Sequence, residues 1–224
     1  RPPAPCPLFG DDQMKSRSIA PVELADCFAE LARLFGAPLE EFEIAALGGV
    51  GYLLAVGVLA PPGHPALLPP GTRGGLWVAG DPAVATSRFN SVFCRLFLGL
   101  GGASAALPIE SAHRGDGRLF QEPASIISEM LIAHDLVPAR GFAEPPDHLA
   151  VELSLLEQLI RLEASLVDAD EHAAISVLRR RLVEWTPSFA AAVAENDPTG
   201  FYAALARILV RLLTDVAPEQ ASAA

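Results

Sequence analysis

Apolar residues recur along most of this chain at spacings of three and four, the period of an amphipathic helix, while period-two alternation is scarce. In PVELADCFAELARLFG, residues 21–36, Leu24, Cys27, Phe28, Leu31 and Leu34 fall on one face. Pro21 suits the first turn, where its missing N–H has no helical partner to lose. A second helix is expected over 38–60, followed by the Pro/Gly-rich loop PPGHPALLPPGTRGG. Phe89, Val92, Phe93, Leu96 and Phe97 predict a helix over about 83–100. The stretch GLGGASAALPIESAHRGDGRLFQ breaks the pattern and reads as a long loop, after which Pro123 opens a helix with Ile126, Ile127, Met130 and Leu131 facing inward.

The segment GFAEPPDHLAVELSLLEQLI, residues 141–160, punctuates the chain most sharply. Two prolines disfavour helix just upstream, so the next helix starts afresh, with Asp147 placed as its N-cap. That helix carries two adjacent stripes, Leu149, Leu153, Leu156, Ile160 and Leu155, Leu159, Leu162, Leu166. A face so wide belongs to the central helix of a bundle. Thr186-Pro187 and Asp197-Pro198 each read as a cap followed by a first-turn proline. The last helix turns Phe201, Leu205, Ile208 and Leu212 inward. The fold class is therefore all-α, one bundle-like domain of about eight or nine helices over residues 19–215. Hinge loops near 102–121 and 138–146 could divide it into two subdomains. Residues 1–18 are expected to be a disordered tail, as of a trimmed N-terminus, and 216–224 to fray.

Composition narrows the function. The 224 residues are 51% hydrophobic, enough for a packed core. A net charge of -11 argues against nucleic acid, whose phosphates demand cationic groups, and favours a basic peptide or protein surface. Cys6, Cys27 and Cys94 show no metal-like spacing and suit a reducing compartment. The uncharged run at 44–60 is short, glycine-rich and preceded by acids, so a buried helix is expected rather than a membrane span.

No phosphate loop, HExxH or GxSxG occurs. The cluster of interest is Glu144, Asp147, His148 and Glu152. His148 and Glu152 are four apart and stack on one helix face, above Leu155 and Leu159. Three readings fit: capping with a structural ion pair, a metal site of a helical metal-dependent hydrolase, or an acidic mouth that holds a cationic partner beside an apolar groove. Glu110, Ser111 and Glu122 lie in or beside loops, where acids are usually solvated. Trp185 reads as a packing anchor, Arg179, Arg180 and Arg181 as a solvated face paired with acids such as Glu184, and His113 and His134 as lone histidines.

The strings ALPIES, DGRLFQEP, GFAEPPDHLAVEL, EWTPSFAAAV and FYAALARIL, in that order over about residues 85–213, resemble the TorD/DmsD/NarJ family of molybdoenzyme maturation chaperones. DCFAELARLFGAP looks like the family's first helix. The resemblance implies an all-helical, cytoplasmic, non-enzymatic protein with no cofactor of its own. It implies binding to the twin-arginine signal peptide of a molybdopterin-dependent oxidoreductase apoenzyme, which assists cofactor insertion and prevents premature Tat export. The peptide-binding residues it implies are Glu144, Pro145, Pro146, Asp147, His148 and Glu152, with Leu107, Pro108, Glu110, Ser111, Glu122 and Pro123. Ile109 stands where an aromatic is common and His113 where tyrosine is frequent, departures that bear on which partner is bound. The expected assembly is a monomer or a helix-exchanged dimer, without membrane insertion; a groove used purely as a dimer interface is a further alternative.

Overall fold

The computed structural model describes residues 20–43, 81–114, 116–137, 141–165 and 169–215. The expected tails and most of the helix expected over 38–60 lie outside them. Among the described residues there are seven α-helices, one 3-10 turn (Gly102–Ser104) and no strand. The helices are α1 (Pro21–Gly36), α2 (Pro82–Phe97), α3 (Glu110–His113), α4 (Glu122–Ala133), α5 (Leu149–Ser165), α6 (Ala169–Asn196) and α7 (Phe201–Asp215). None of the described helices is long and apolar enough to cross a membrane.

The central element is α5, packed along α1 on one side and α6 on the other, with α7 against α6. Its stripe of Leu149, Leu153, Leu156 and Ile160 is buried, as the spacing predicts; of the second stripe Leu155 and Leu159 are buried, Leu162 is half-buried and Leu166 lies outside the described residues. Helices α1 and α5 run antiparallel. Gly36 ends α1 beside Ala150 at the start of α5, while Asp26 near the other end of α1 pairs with Arg161. A Cβ on Gly36 would sit 3.1 Å from that of Ala150, so glycine permits the close approach of the two backbones.

Local chemistry agrees with these boundaries. Asp81 caps α2 by accepting the Ala83 N–H at 3.0 Å, ahead of Pro82. Asn90 both accepts from the Leu39 N–H (2.8 Å) and donates to its carbonyl (2.9 Å), which ties the chain after α1 onto α2. Phe97 centres an aromatic cluster, edge-on to Phe35 (5.7 Å between centroids), Phe93 (5.1 Å) and Tyr202 (5.1 Å).

Three local expectations are corrected. The long loop after α2 is not loose: it holds the 3-10 turn and α3, and Glu110 and Ser111 are fully buried. The chain also does not break at Thr186-Pro187, which lies inside α6. A mid-helix proline costs about 3 kcal/mol. Burial of Trp185 and Phe189 on either side offsets that loss, with Pro187 on the exposed face and the Thr186 hydroxyl donating to the Leu182 carbonyl at 2.7 Å. Finally, α7 starts at Phe201 rather than at Pro198. Asp197 still caps it, accepting from the Thr199 N–H (2.8 Å) and, with its other oxygen, from the Ala203 N–H (3.0 Å).

Phe97→Ala should lower the free energy of unfolding by about 3–5 kcal/mol, because the hole cannot collapse among rigid rings. Phe97→Leu should lose clearly less. Urea denaturation of both variants checks the order.

Candidate functional site

The PPDH segment folds as a β-turn. The Pro145 carbonyl accepts the His148 N–H at 3.0 Å, with Pro146 at the position where a locked φ is preferred. The turn opens directly into α5. The expected cap is corrected here. His148, not Asp147, caps α5: its Nδ1 accepts the Ala150 N–H at 3.1 Å, and its carbonyl accepts those of Val151 (2.8 Å) and Glu152 (3.1 Å). This bond requires an unprotonated Nδ1, and burial pushes the imidazole down to about 4.

Asp147 faces the preceding loop. Its carbonyl accepts the Glu110 N–H (2.9 Å) and its carboxylate accepts the Ser111 N–H (2.9 Å). The Pro108 carbonyl accepts the Leu149 N–H at 2.7 Å, which completes an antiparallel bridge between Ile109 and His148. The ALPIES and PPDH strings are thus stitched together, although 36 residues separate Ser111 from Asp147.

Behind this stitch lies a buried polar cluster. Glu110 accepts from Arg114 Nη1 and Arg181 Nη2, each at 2.7 Å, with its own side chain fully buried. Trp185 Nε1 donates to Glu152 Oε2 at 3.1 Å. Burial, and then the negative charge of Glu110, hold the Glu152 carboxyl well above the usual range against the opposing pull of Trp185 and Arg181. His113 stacks on Trp185 (5.5 Å between centroids), bonds the Leu107 carbonyl through Nε2 at 2.8 Å, and is lowered by burial. Arg114 reaches Glu184 at 3.0 Å.

The expected acidic mouth is therefore not open. Asp147, His148, Glu152, Glu110 and Ser111 are buried, as are Pro108, Pro123 and Pro145, while Leu107 and Pro146 are half-buried. Only Glu144 and Glu122 of the expected residues face solvent. His148 and Glu152 do not form a pair, since each bonds elsewhere. Nor does the set suit a hydrolase. Glu144 points outward, the other three bond different partners, and among the described residues no three His, Cys, Asp or Glu side chains converge as metal ligands. Arg181, Trp185, His113 and Arg114 were not expected in the cluster. Arg181 bonds Glu110, and Glu184 goes to Arg114 instead. The Glu110/Arg114 spacing of four was the one available signal.

An accessible hollow does lie beside the cluster. A cavity of about 540 Å³ runs between α1, α5 and the end of α4. Ala29, Ala32, Arg33 and Gly36 line it from α1, Ala150, Val151, Ser154, Leu155, Glu157 and Gln158 from α5, and Leu131, Leu136, Val137 and Phe142 from the segments between. Phe142 packs edge-on against His148, at 5.3 Å and 81°. His148 thus braces both Phe142 and the first turn of α5, two walls of the hollow.

The family model described as nitrate reductase delta subunit matches residues 80–191. The chain is 36% identical over 135 residues to the chaperone protein TorD of Aliivibrio fischeri, covering 58% of this chain and 62% of that one. It is 40% identical over 126 residues to the TorD of Escherichia coli O7:K1, covering 54% and 58%. It spans roughly three fifths of the length of these curated relatives. The crystal structure of a proposed redox enzyme maturation protein from Archaeoglobus fulgidus superposes with a TM-score of 0.50 at 18% identity over 90% of this chain and 98% of that one, a likeness of fold.

Two predictions follow the buried chemistry. Arg181→Met should destabilise by about 3 kcal/mol, since Glu110 is left with one counter-charge in the interior; thermal and urea unfolding measure it. The pH profile should carry two opposed limbs. Raised Glu152 adds stability that is full below the unfolded carboxyl value and is lost as pH rises through its folded one. Lowered His148 adds stability that is full above its ordinary 6.5 and is lost as pH falls toward about 4. Glu152→Gln should flatten the first limb and His148→Asn the second in urea titrations run from acid to alkaline pH.

Proposed function

Because this chain belongs to the nitrate reductase delta subunit family, which includes the TorD and NarJ chaperones, we propose that it is a maturation chaperone for a molybdopterin-dependent oxidoreductase. In this reading it acts in the cytoplasm and is not an enzyme. It binds the twin-arginine signal peptide of the apoenzyme, holds that subunit while its cofactor is inserted, and so delays export by the twin-arginine route.

The observation that carries the reading is the groove between α1 and α5, apolar over most of its lining, with Glu157 as its acid and Arg33 as its base. A leader peptide of this type has a cationic stretch followed by an apolar one, and the groove complements both. Burial of the apolar part contributes about 25 cal/mol per Å². The motif supports this binding mainly from beneath. Asp147, Glu110, Ser111 and Pro108 join the loop to the turn, and His148 sets the wall through Phe142 and Ala150. Pro123 and Leu107 pack behind, and Pro145 and Pro146 form the turn. Exposed Glu144 and Glu122 are the acids of the expected site that a guanidinium can approach from solvent.

Ser154 lines the groove yet is exposed, so Ser154→Trp fills the site without touching the core. Calorimetry with a twin-arginine leader peptide should show binding to the native chain, at least tenfold weaker binding to Ser154→Trp, and a melting temperature within about 2 °C between the two. Folded native protein that takes up neither that peptide nor any other twin-arginine leader would refute the reading.

A further inference from the structure

Resting on that reading of the groove, we propose that Arg161 is an internal stand-in for the client's arginine, seated on the carboxylates that the client would use. The groove has a direction. Because α1 and α5 are antiparallel, its Phe142–Ala150 end is mostly apolar, with Arg33 one turn before Gly36, and its opposite end carries Glu157, with Asp26 beyond Ala29. Glu157 lines the groove and is nearly buried, at 8% exposure. Both its oxygens are engaged, one by Arg161 Nε and the other by Gln158 Nε2 at 2.7 Å. Arg161 Nη2 reaches across to Asp26 at 2.6 Å, so a single guanidinium bridges the two helices at the charged end.

A second arginine repeats the arrangement on the α1 side. Arg33 lines the groove and sits between Glu30, at 3.2 Å, and Glu43. Arg161 and Arg33 thus pair with four carboxylates around the groove, and of these Glu157 lines it. The net charge of -11 on the whole chain attracts a cationic peptide and repels an acidic one. Arg161 is partly exposed and its pair with Asp26 is a weakly held surface one, so an incoming guanidinium can compete for its place on Glu157. The geometry also sets the spacing of the occupant. Ala150 and Glu157 are seven residues apart on α5, roughly 10 Å along the axis, which an extended peptide spans in about three residues. The preferred ligand is an extended peptide with arginine about three residues from a bulky apolar side chain.

The test uses the full chain and two synthetic peptides, a twin-arginine leader and the same peptide with both arginines changed to glutamine. Arg161→Gln should bind the arginine peptide about 3- to 10-fold more tightly than the native chain does and leave the glutamine peptide unchanged. Glu157→Gln should weaken the arginine peptide, and Arg161→Lys should restore affinity close to native. An Arg161→Gln chain that binds the arginine peptide no better than the native chain, while the native chain still prefers arginine over glutamine, overturns the stand-in and leaves the chaperone reading in place. Loss of arginine preference in every folded variant and in the native chain overturns both.

Discussion

Two strings far apart in the sequence are held together by one buried acid and one short bridge. Asp147 accepts two N–H groups from the Glu110–Ser111 step, and the Leu149 N–H returns a bond to Pro108. Without that stitch, Glu110 would have no reason to lie in the interior, and Arg181 would lose the partner that draws it inward from a basic run. A buried ion pair of this kind adds little net stability, because desolvation consumes most of the attraction. Its effect is specificity. Only one seating of the 107–114 segment gives Glu110 both guanidiniums, gives Trp185 its acceptor through Glu152, and leaves His113 flat on the indole.

The stitch also explains how a buried motif bears on an accessible groove. His148 is the hinge of that relation. Its Nδ1 organises the first turn of α5, and its ring supports Phe142. Changes at the motif therefore reach the groove through the position of a wall. The groove itself is built from residues of ordinary type, mostly alanine, glycine and leucine, contributed by helices that meet only in the folded state.

That division accounts for what the sequence made legible. Helix α1 was readable to its ends, because a proline start, a five-residue stripe and a following Ala-Pro step all agree. The stripes of α2, α5 and α7 were likewise readable, since burial there follows spacing alone. The break expected at Pro187 was wrong for a physical reason: packing of Trp185 and Phe189 outweighs the backbone preference, and packing partners are not visible in a linear pattern. The reading of Glu110 and Ser111 as solvated failed likewise, because their burial depends on Asp147 in another segment. The importance of the PPDH turn was legible and its orientation was not. A carboxylate and an imidazole beside a helix start can face water or the interior, and the choice lies with Arg181, Trp185 and the ALPIES segment. The groove left no mark on the sequence, since alanines at α1 positions 29 and 32 look like ordinary helix formers.

The antiparallel contact of α1 with α5 joins groups 135 residues apart, as between Asp26 and Arg161. During synthesis, at about 5–20 residues per second, the first helix leaves the ribosome on the order of ten seconds before its partner exists. For that interval the face bearing Phe28 and Leu31 lacks its α5 cover, and contacts of such long range close slowly. A groove walled by α1 and α5 is therefore completed only once α5 has been made. Until then the nascent chain is itself a candidate for a holding factor.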